Sequence, residues 1–235
     1  PQAGVLWTVG GDWDLHFSVA KKTRFPTMHE LYSEEVGGNV ANPNLEEEEA
    51  VNWEAGISKP LFDHSRITAA LFYSEVDNLI QEKELPSGDD QYQNIDETVF
   101  QGFEFGINSK LIPRNSLELH YTYLDAEDKS EDRTSDKLEE QSKHKLYLSD
   151  LISITEQLSF FLKAEYNSKR YEEEQDGNWE TLEDFWVVDA KAIFDFTANL
   201  SVEAGLKNLF DENYEYAIGY PREGRTYFVK ATFTY

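Results

Sequence analysis

Full charges stand in the middle of several stretches of this 235-residue chain in which apolar residues alternate with polar ones. Because side chains alternate across an extended strand, the charges of each stretch share one face, opposite the apolar residues. An unpaired charge is too costly for a dry core, so this face must meet water or a hydrated lumen. Opposite signs recur, which predicts ion pairs between neighbouring strands. We expect eight of these charges to face a lumen: Glu104, Glu118, Lys163, Glu165, Asp189, Lys191, Glu203 and Lys207.

Arginine and aromatic side chains lie in or beside the long polar segments that separate these stretches. Arginine pairs with anions through a planar fork, and aromatic rings offer stacking faces to other rings and to cations. The same residue types also pack loops internally, or form an aromatic girdle at a membrane interface. With both interpretations open, the candidate ligand-binding residues are Arg24, Tyr32, Tyr92, Arg170 and Trp179.

Acidic residues are concentrated in three polar segments, Glu46–Glu49, Asp125–Glu140 and Glu172–Asp176. Such clusters attract a cationic or metal-bearing ligand, or hold divalent cations that bridge lipopolysaccharide phosphates. The simpler interpretation, which we prefer, is a solvated and repulsive surface, since no segment carries the D-x-[DN]-x-[DN]-G calcium pattern. The formal charge of −25, from 46 acidic and 21 basic residues, argues against nucleic acid as a partner.

Residue types that hold metals or perform nucleophilic chemistry are sparse. The chain has no cysteine and five histidines, none of which is spaced i, i+4 from another or set in H-E-x-x-H. Glycine-rich nucleotide-binding motifs and the G-x-S-x-G nucleophile motif are absent. Ser149 and His144 are an odd number of positions apart, so they point to opposite faces of one strand. We therefore predict no enzymatic activity, no metal site and no cofactor.

The alternating stretches predict about eleven antiparallel β-strands, the last of which covers residues 226–235. Connections alternate between short and long along the chain, as in outer-membrane barrels with short periplasmic turns and long extracellular loops. This orientation places the acidic segments outside the cell. A transmembrane β-barrel also explains an aromatic-rich final strand, because barrel closure removes the exposed edge. The alternative is a soluble antiparallel sheet whose apolar face is packed inward.

Two motifs in the first quarter of the chain resemble the C-terminal part of TonB-dependent outer-membrane receptors, the transporters of ferric siderophores, haem, cobalamin and some glycans. FPTMHELY (25–32) is similar to the family's F-x-A-P-T-x-x-E-L-Y. NPNLEEEEAVNWEAG (42–56) is similar to N-P-x-L-x-P-E-x-x-x-x-x-E-x-G, although Glu47 stands where the family usually has proline.

The resemblance continues, in order, to the end of the chain. QGFEFGI (101–107) resembles the recurrent R-G-x-E-x strand, and YTYLDA (121–126) followed by His144 and Lys145 is also similar to the family. Its strongest part is LKNLFDENY (206–214) with GYPREGRTYF (219–228), which resembles G-Y-P-x-P-G-R-x-Y except that Glu223 replaces the second proline. Each motif is weak alone, but together they indicate the family and leave the ligand open.

The resemblance implies a barrel of about 22 strands around an N-terminal plug, of which eleven strands form the C-terminal half. We accordingly expect residues 1–235 to be one barrel segment, without the plug, the energy-coupling box and the first half of the barrel. The chain begins at Pro1 and has no signal peptide, so we expect a mature or trimmed segment of a longer protein. Its end resembles the signal that the barrel assembly machinery recognises, carried by Tyr227, Val229, Phe233 and Tyr235.

The function implied by the resemblance is active transport of a scarce nutrient into a bacterial cell across its outer membrane, most often a ferric siderophore. The implied partners are outer-membrane lipid and lipopolysaccharide, the barrel assembly machinery, the small-molecule ligand, and the TonB complex, which acts through an N-terminal region missing from this chain. The five candidate binding residues would then contact a siderophore or a glycan. The alternative function is that of a passive porin or structural outer-membrane barrel.

Overall fold

The computed structural model describes residues 1–34, 38–131, 133, 135–173 and 178–235, apart from the side chain of Asp63. Eleven of its strands form one antiparallel sheet in which each strand pairs with its neighbours along the chain. These strands are β1 (Gln2–Val9), β2 (Trp13–Arg24), β3 (Glu48–Leu61), β4 (Ser65–Glu84), β5 (Asp90–Ser109), β6 (Asn115–Asp128), β7 (His144–Ser153), β8 (Leu158–Asn167), β11 (Phe185–Thr197), β12 (Leu200–Lys207) and β13 (Thr226–Phe233).

Three smaller elements lie outside this main sheet. The short helix α1 (Met28–Tyr32) follows β2, and a 3₁₀ turn (Phe62–His64) joins β3 to β4. The strands β9 (Arg170–Glu173) and β10 (Trp179–Leu182) pair with each other between β8 and β11. The prediction of an all-β antiparallel fold with about eleven strands is confirmed, and the hairpin of β9 and β10 is an addition to it.

Cross-strand register separates the side chains of the main sheet into two faces of opposite character. One row of directly opposed residues is entirely apolar and runs through six strands: Ile67, Ile107, Leu119, Leu148, Ala164 and Val188. The neighbouring row on the other face is Ser149, Lys163 and Asp189. Because a shift of one residue would exchange the two faces, this difference fixes the register of the pairing. We call the two sides the apolar face and the polar face.

The apolar face of the main sheet has no packing partner among the described residues. Its side chains remain exposed: the exposed fraction is 77% for Val229, 72% for Tyr227 and 65% for Leu71. The buried apolar side chains lie instead where the long connections gather, and they are Leu45, Val76, Ile80, Ile95, Val99, Leu138, Leu182 and Phe185. A soluble sheet would bury its apolar face, whereas a membrane barrel presents this face to lipid.

The connections alternate between short and long except at the β4–β5 hairpin, and five short connections lie at one end of the sheet. They span residues 10–12, 62–64, 110–114, 154–157 and 198–199. At the opposite end, the polar composition of PSGDDQYQN (86–94) predicts a long loop, and this prediction is wrong in part. The strands β4 and β5 each have 20 residues and continue to a tight turn at 85–89, so that residues 90–94 are strand. A transmembrane strand needs about 9–11 residues, so this hairpin projects well beyond a bilayer.

Aromatic side chains collect on the apolar face near the end that carries the long connections. The hydroxyl of Tyr121 lies 2.8 Å from Nδ1 of His144, and the ring of Tyr123 lies 5.3 Å from the His144 ring. On neighbouring strands, the rings of Tyr166 and Trp186 are 4.7 Å apart. This arrangement is the aromatic girdle expected at a membrane interface. His144 opens β7 within this girdle, where its contacts are structural.

Candidate functional site

The eight charges predicted to face a lumen lie on one face of the main sheet. Pairing of Glu104 with Thr122, and of Glu118 with Ser149, places both carboxylates on the polar face. The same register brings the charges of β8, β11 and β12 onto this face: Lys163, Glu165, Asp189, Lys191, Glu203 and Lys207. The polar face is therefore the side of the sheet that presents charged side chains to a solute.

Ion pairs between neighbouring strands occur on the polar face, as the recurrence of opposite signs predicts. The carboxylate of Glu203 contacts Lys191 Nζ at 2.8 Å through one oxygen and Lys230 Nζ at 3.5 Å through the other. Within β8, Lys163 Nζ lies 3.6 Å from the Glu165 carboxylate. Lys207 has no ion pair within the described ranges, which distinguishes it from these lysines.

Three of the five candidate binding residues gather around α1. Thr27 caps this helix and shares a capping box with Glu30, which fixes where the helix begins. The Arg24 guanidinium holds the helix to the sheet, because it donates to Glu30 at 2.8 Å and to both oxygens of Glu48 at 2.6 and 2.7 Å. Tyr32 lies on α1 and is exposed. The helix also brings the His29 ring to 6.0 Å from the Tyr92 ring.

The other two candidates lie on the separate hairpin. Trp179 pairs with Glu173 across β10 and β9, and Lys137 Nζ lies 5.4 Å from the Trp179 ring and 4.2 Å from the Tyr171 ring. The structure therefore divides the five candidates into two separate groups and does not bring them into one site. Whether either group contacts a ligand stays a prediction.

Arg170, on β9, holds the connection between β12 and β13 in place. We call this connection, residues 208–225, the last loop. Nη1 of Arg170 donates to the Tyr216 carbonyl oxygen at 2.7 Å and Nη2 to the Glu215 carbonyl oxygen at 2.5 Å. The guanidinium also lies 5.6 Å from the Phe185 ring and 5.4 Å from the Tyr216 ring. Arg170 is only 4% exposed, and burial lowers its pKa. These contacts give Arg170 a structural role within the loops.

Three more contacts hold the last loop in place. The Ile218 amide donates to the Glu172 carboxylate at 2.9 Å. The Tyr216 hydroxyl donates to Glu165 Oε1 on the polar face at 2.7 Å, and burial together with this hydrogen bond raises the pKa of Tyr216. At its start, the loop is tied to the sheet by the Asn208 amide, which donates to Asp189 at 2.9 Å. The last loop therefore covers part of the polar face.

A cavity of about 410 Å³ lies between the last loop and the polar face. We call it the last-loop cavity. This volume falls within the range of small-molecule sites. The sheet contributes charged side chains to its wall, and the loop contributes two tyrosines and Arg222, whose guanidinium lies 5.5 Å from the Tyr216 ring. Its chargeable lining residues are Lys163, Glu165, Asp189, Lys207, Tyr214, Tyr216, Arg222 and Glu223.

A second cavity, of about 480 Å³, lies where four long connections meet, and it is strongly acidic. Its carboxylates come from the β4–β5 hairpin, the connection after β6, and β9: Glu82, Glu84, Asp90, Glu139, Glu140, Glu172 and Glu173. Parts of the predicted acidic segments, residues 132, 134 and 174–176, lie outside the described residues. No group of three or more His, Asp and Glu side chains in the described ranges is arranged to hold a metal ion.

Comparison with known proteins identifies this architecture. Residues 1–209 match the family described as "TonB dependent receptor-like, beta-barrel". The chain belongs to the TonB-dependent receptor β-barrel family. Its main sheet is therefore part of an antiparallel transmembrane barrel in a bacterial outer membrane, with the apolar face toward lipid. Both the family prediction and the predicted location are confirmed. Members of this family are transport receptors rather than enzymes.

Individual relatives of this chain have names that refer to different ligands. The chain is 33% identical over 242 residues to the vitamin B12 transporter BtuB of Photobacterium profundum. The match covers 100% of this chain and 37% of that relative. It is 27% identical over 216 residues to the probable TonB-dependent siderophore receptor PiuA of Acinetobacter baumannii, covering 84% of the chain and 28% of the relative.

The same fold is present in the ferric-catecholate import receptor Fiu of E. coli K12. The TM-score is 0.80 at 24% identity, over 99% of this chain and 34% of that one. The chain thus spans roughly a third of the relatives it matches. In the described part of the receptor chain, no helix is long and apolar enough to cross a membrane.

Sequence analysis did not single out three groups of the last-loop cavity. Tyr214, Tyr216 and Arg222 were not among the candidate residues, and only the contacts of the folded loop show their position over the polar face. The density of aromatic residues in NYEYAIGY was the one available signal. Ser149 and His144, by contrast, lie on opposite faces of β7, as their spacing predicts.

The loop packing of this chain should depend on pH through two half-buried carboxyl groups. Burial raises the pKa of Glu139, which accepts from Gln81 Nε2 at 2.9 Å, and it raises the pKa of Glu172. Both groups bind protons more tightly in the packed loops than in the open ones. The packing is therefore most stable below the ordinary glutamate pKa and weakens as the pH rises through the raised values.

We expect Glu139→Gln to strengthen this packing severalfold at neutral pH, because the amide keeps a hydrogen bond to Gln81 without burying a charge. Amide hydrogen exchange of β9 and β10, corrected for the intrinsic rate at each pH, measures the effect. Replacing the exposed Glu183 by Gln is the matched control. Faster exchange in Glu139→Gln than in the wild type would contradict the assignment.

Proposed function

We propose that this chain is the loop-bearing part of an outer-membrane active-transport receptor that takes up a ferric siderophore with energy supplied through TonB. The observation that carries the proposal is that the last loop covers part of the polar face. The last loop encloses a cavity that combines aromatic rings and charges of both signs, and it is held there by the buried Arg170. A passive pore needs no such cavity, whereas a receptor that captures a scarce ligand does.

The proposed mechanism follows the architecture. The polar face lines the barrel lumen, a ligand binds among the extracellular loops, and force from the TonB complex, applied through a plug in the lumen, releases it inward. Residues 1–235 supply barrel wall and loops, without the plug. Arg24, Tyr32, Tyr92 and Trp179 remain proposed ligand contacts, since all four lie at the loop end of the sheet. Further proposed partners are lipopolysaccharide and the barrel assembly machinery, which would recognise the final strand.

Cobalamin is the second candidate ligand. The relative with 33% identity is named a vitamin B12 transporter, and that identity exceeds the 27% shared with the probable siderophore receptor. The acidic cavity supports neither ligand over the other. We prefer the siderophore because arginine, lysine and tyrosine side chains converge in the last-loop cavity, and these groups pair with the oxygen-rich chelates of iron.

Uptake measurements test the proposed function. The receptor is produced from its complete gene in cells that lack their own siderophore and cobalamin receptors, and the cells are supplied with radioactive ferric siderophores or radiolabelled cobalamin. We expect iron accumulation that stops when TonB is deleted or when the proton gradient is dissipated. Solute flux that persists without TonB, together with ion conductance of the purified protein in planar bilayers, would instead indicate a passive porin.

A further inference from the structure

We propose that the apolar face carries, near the short connections, a binding site for the headgroup of an amine-bearing phospholipid. Asp150 on β7 accepts the primary ammonium of the lipid, and Lys110 and Arg114, in the connection between β5 and β6, hold its phosphate. The inference rests on the place of the barrel in the membrane and is independent of the solute that the receptor transports.

Asp150 interrupts the apolar face of the main sheet. Leu117 and Leu162 stand directly opposite it on the two neighbouring strands. Along β7, the nearest residues on the same face are Leu148 and Ile152. Because this face meets lipid, the Asp150 carboxylate lies among side chains that contact hydrocarbon. A charged group is costly in such a place, and the ionisable residues found within membrane-spanning segments have partners or functions.

The described part of the chain gives this carboxylate only a neutral partner. Nδ2 of Asn115 donates to Oδ1 of Asp150 at 2.7 Å and to Oδ2 at 2.9 Å. No lysine, arginine or histidine within the described ranges forms an ion pair with Asp150. An ionised carboxylate has about four acceptor positions, so its charge and some of its lone pairs remain uncompensated. A cationic donor from outside the chain completes the site.

Asp150 lies in the part of the apolar face nearest the short connections, which face the periplasm in bacterial outer-membrane barrels. Three positions separate it from Ser153 at the end of β7, and six from His144 in the aromatic girdle near the other end. The Ser153 amide donates to the Arg114 carbonyl oxygen at 2.8 Å. The connection between β5 and β6 therefore lies about 10 Å along the strand from Asp150, at the level of the periplasmic leaflet, which consists of phospholipid.

This connection, residues 110–114, combines apolar and basic side chains. Leu111 and Ile112 are exposed, and the exposed Lys110 and Arg114 flank them. Neither cation has an ion pair within the described ranges, although acidic residues outnumber basic ones by 46 to 21 in the chain. Apolar side chains that enter a bilayer, flanked by cations at the level of the phosphates, are typical of segments that bind a membrane interface.

The two signs of charge select a zwitterionic headgroup with a primary amine. In phosphoethanolamine, two carbons separate the phosphate from the ammonium, so one headgroup reaches from the connection toward Asp150. Its ammonium donates N–H bonds to a carboxylate, and its phosphate accepts from lysine and arginine. A choline headgroup has no N–H to donate, and a glycerol headgroup has no positive charge. Phosphatidylethanolamine is therefore the lipid that satisfies both halves of the site.

Native mass spectrometry of the complete receptor tests the site by measuring retention of the first bound lipid, in the presence of EDTA to exclude bridging cations. The probes are phosphatidylethanolamine, phosphatidylcholine and phosphatidylglycerol with identical acyl chains. We expect the wild type to retain phosphatidylethanolamine about fivefold better than phosphatidylcholine, the usual effect of one charge near a membrane surface. Asp150→Asn should bring this ratio to about one and leave phosphatidylglycerol retention unchanged. Combining Lys110→Gln with Arg114→Gln should lower retention of both phosphatidylethanolamine and phosphatidylglycerol.

Two further variants control for net charge and for folding. Asp12→Asn removes a carboxylate from an exposed position in another short connection at the same end of the sheet. Its backbone has φ 62°, which asparagine also adopts, so the lipid ratio should remain at the wild-type value. Asp150→Glu retains the charge and should keep most of the preference. Heat-modifiable gel migration verifies that each variant is folded.

Equal retention of phosphatidylethanolamine and phosphatidylcholine by the wild type would overturn the proposal. A preference for phosphatidylethanolamine that survives in Asp150→Asn would do the same, because the headgroup would then be held through its phosphate alone. Loss of the preference in Asp12→Asn as well would assign it to net charge and refute the site. A preference that is lost in Asp150→Asn and kept in both control variants supports it. Since no transported solute enters the experiment, the result is independent of the proposed uptake function.

Discussion

Replacing Arg170 by alanine should release the last loop from the polar face. The substitution removes two hydrogen bonds from a charged donor and two ring contacts at once. Hydrogen bonds to charged groups contribute about 1.5–3 kcal/mol each, so we expect the closed loop to lose about 3 kcal/mol, or roughly a hundredfold in its closing equilibrium. The amides of Ile218, Gly219 and Arg222, which are hydrogen-bonded in the closed loop, should then exchange roughly a hundredfold faster.

Two variants control for this result. Lys169→Ala removes the neighbouring cation, whose ion pair with Glu183 is exposed, and should leave exchange in the loop unchanged. Arg170→Lys keeps a charge but cannot donate to both carbonyl oxygens through a planar fork, so its exchange rates should lie between those of wild type and Arg170→Ala. If the loop amides of Arg170→Ala remain as protected as those of the wild type, the last loop is held by other contacts.

Arginine placed on the apolar face should destabilise the barrel far more than arginine placed one residue away on the polar face. Leu119 is flanked by Ile107 and Leu148 on the apolar face. His120, the next residue, is exposed on the polar face and lies 2.9 Å from Glu118. An arginine near the bilayer midplane costs about 2–4 kcal/mol on the lipid side of a barrel strand, so Leu119→Arg should lose about that much.

The matched variant His120→Arg should change stability by less than about 0.5 kcal/mol, since the new guanidinium remains hydrated and beside a carboxylate. Urea unfolding of the complete receptor in lipid vesicles, followed by tryptophan fluorescence and heat-modifiable gel migration, measures both values. Equal losses for the two variants would show that the faces are not divided between lipid and water at this position.

Strand pattern was predictable because the physical cause is local. Apolar and polar residues alternate within the sequence of each strand of the barrel wall. This alternation identified seven strands and the face on which each of their side chains lies: β2, β3, β6, β8, β11, β12 and β13. The distal half of β4 (DNLIQEKE, 77–84) and the start of β5 in PSGDDQYQN (86–94) were missed because both segments are mostly polar and lack that alternation. This hairpin is held instead by hydrogen bonds to a distant segment. Asn42 Nδ2 donates to the Tyr92 carbonyl oxygen and the Glu46 amide donates to Asn94 Oδ1, both at 2.9 Å, and the apolar residues Ile80 and Ile95 of the hairpin are buried.

The site was less predictable because its contacts join segments far apart in sequence. Arg170 was a candidate ligand contact on the basis of residue type, but it contacts the carbonyl oxygens of Glu215 and Tyr216, more than forty positions away. Nothing in the local sequence specifies that pairing. Alternation assigned Lys207 to the charged face, but which charges have ion-pair partners among the described residues became visible only when the neighbouring strands were in register.

Nearest-neighbour pairing gives the wall of this barrel a modular character. Every strand of the main sheet is bonded only to the strands before and after it in the chain, with the hairpin of β9 and β10 set aside from the wall. Removing or duplicating two successive strands would therefore preserve the inward and outward direction of every remaining side chain, because the alternation restarts in phase. The circumference of such a wall can change in steps of one hairpin during evolution while each loop remains at its own end.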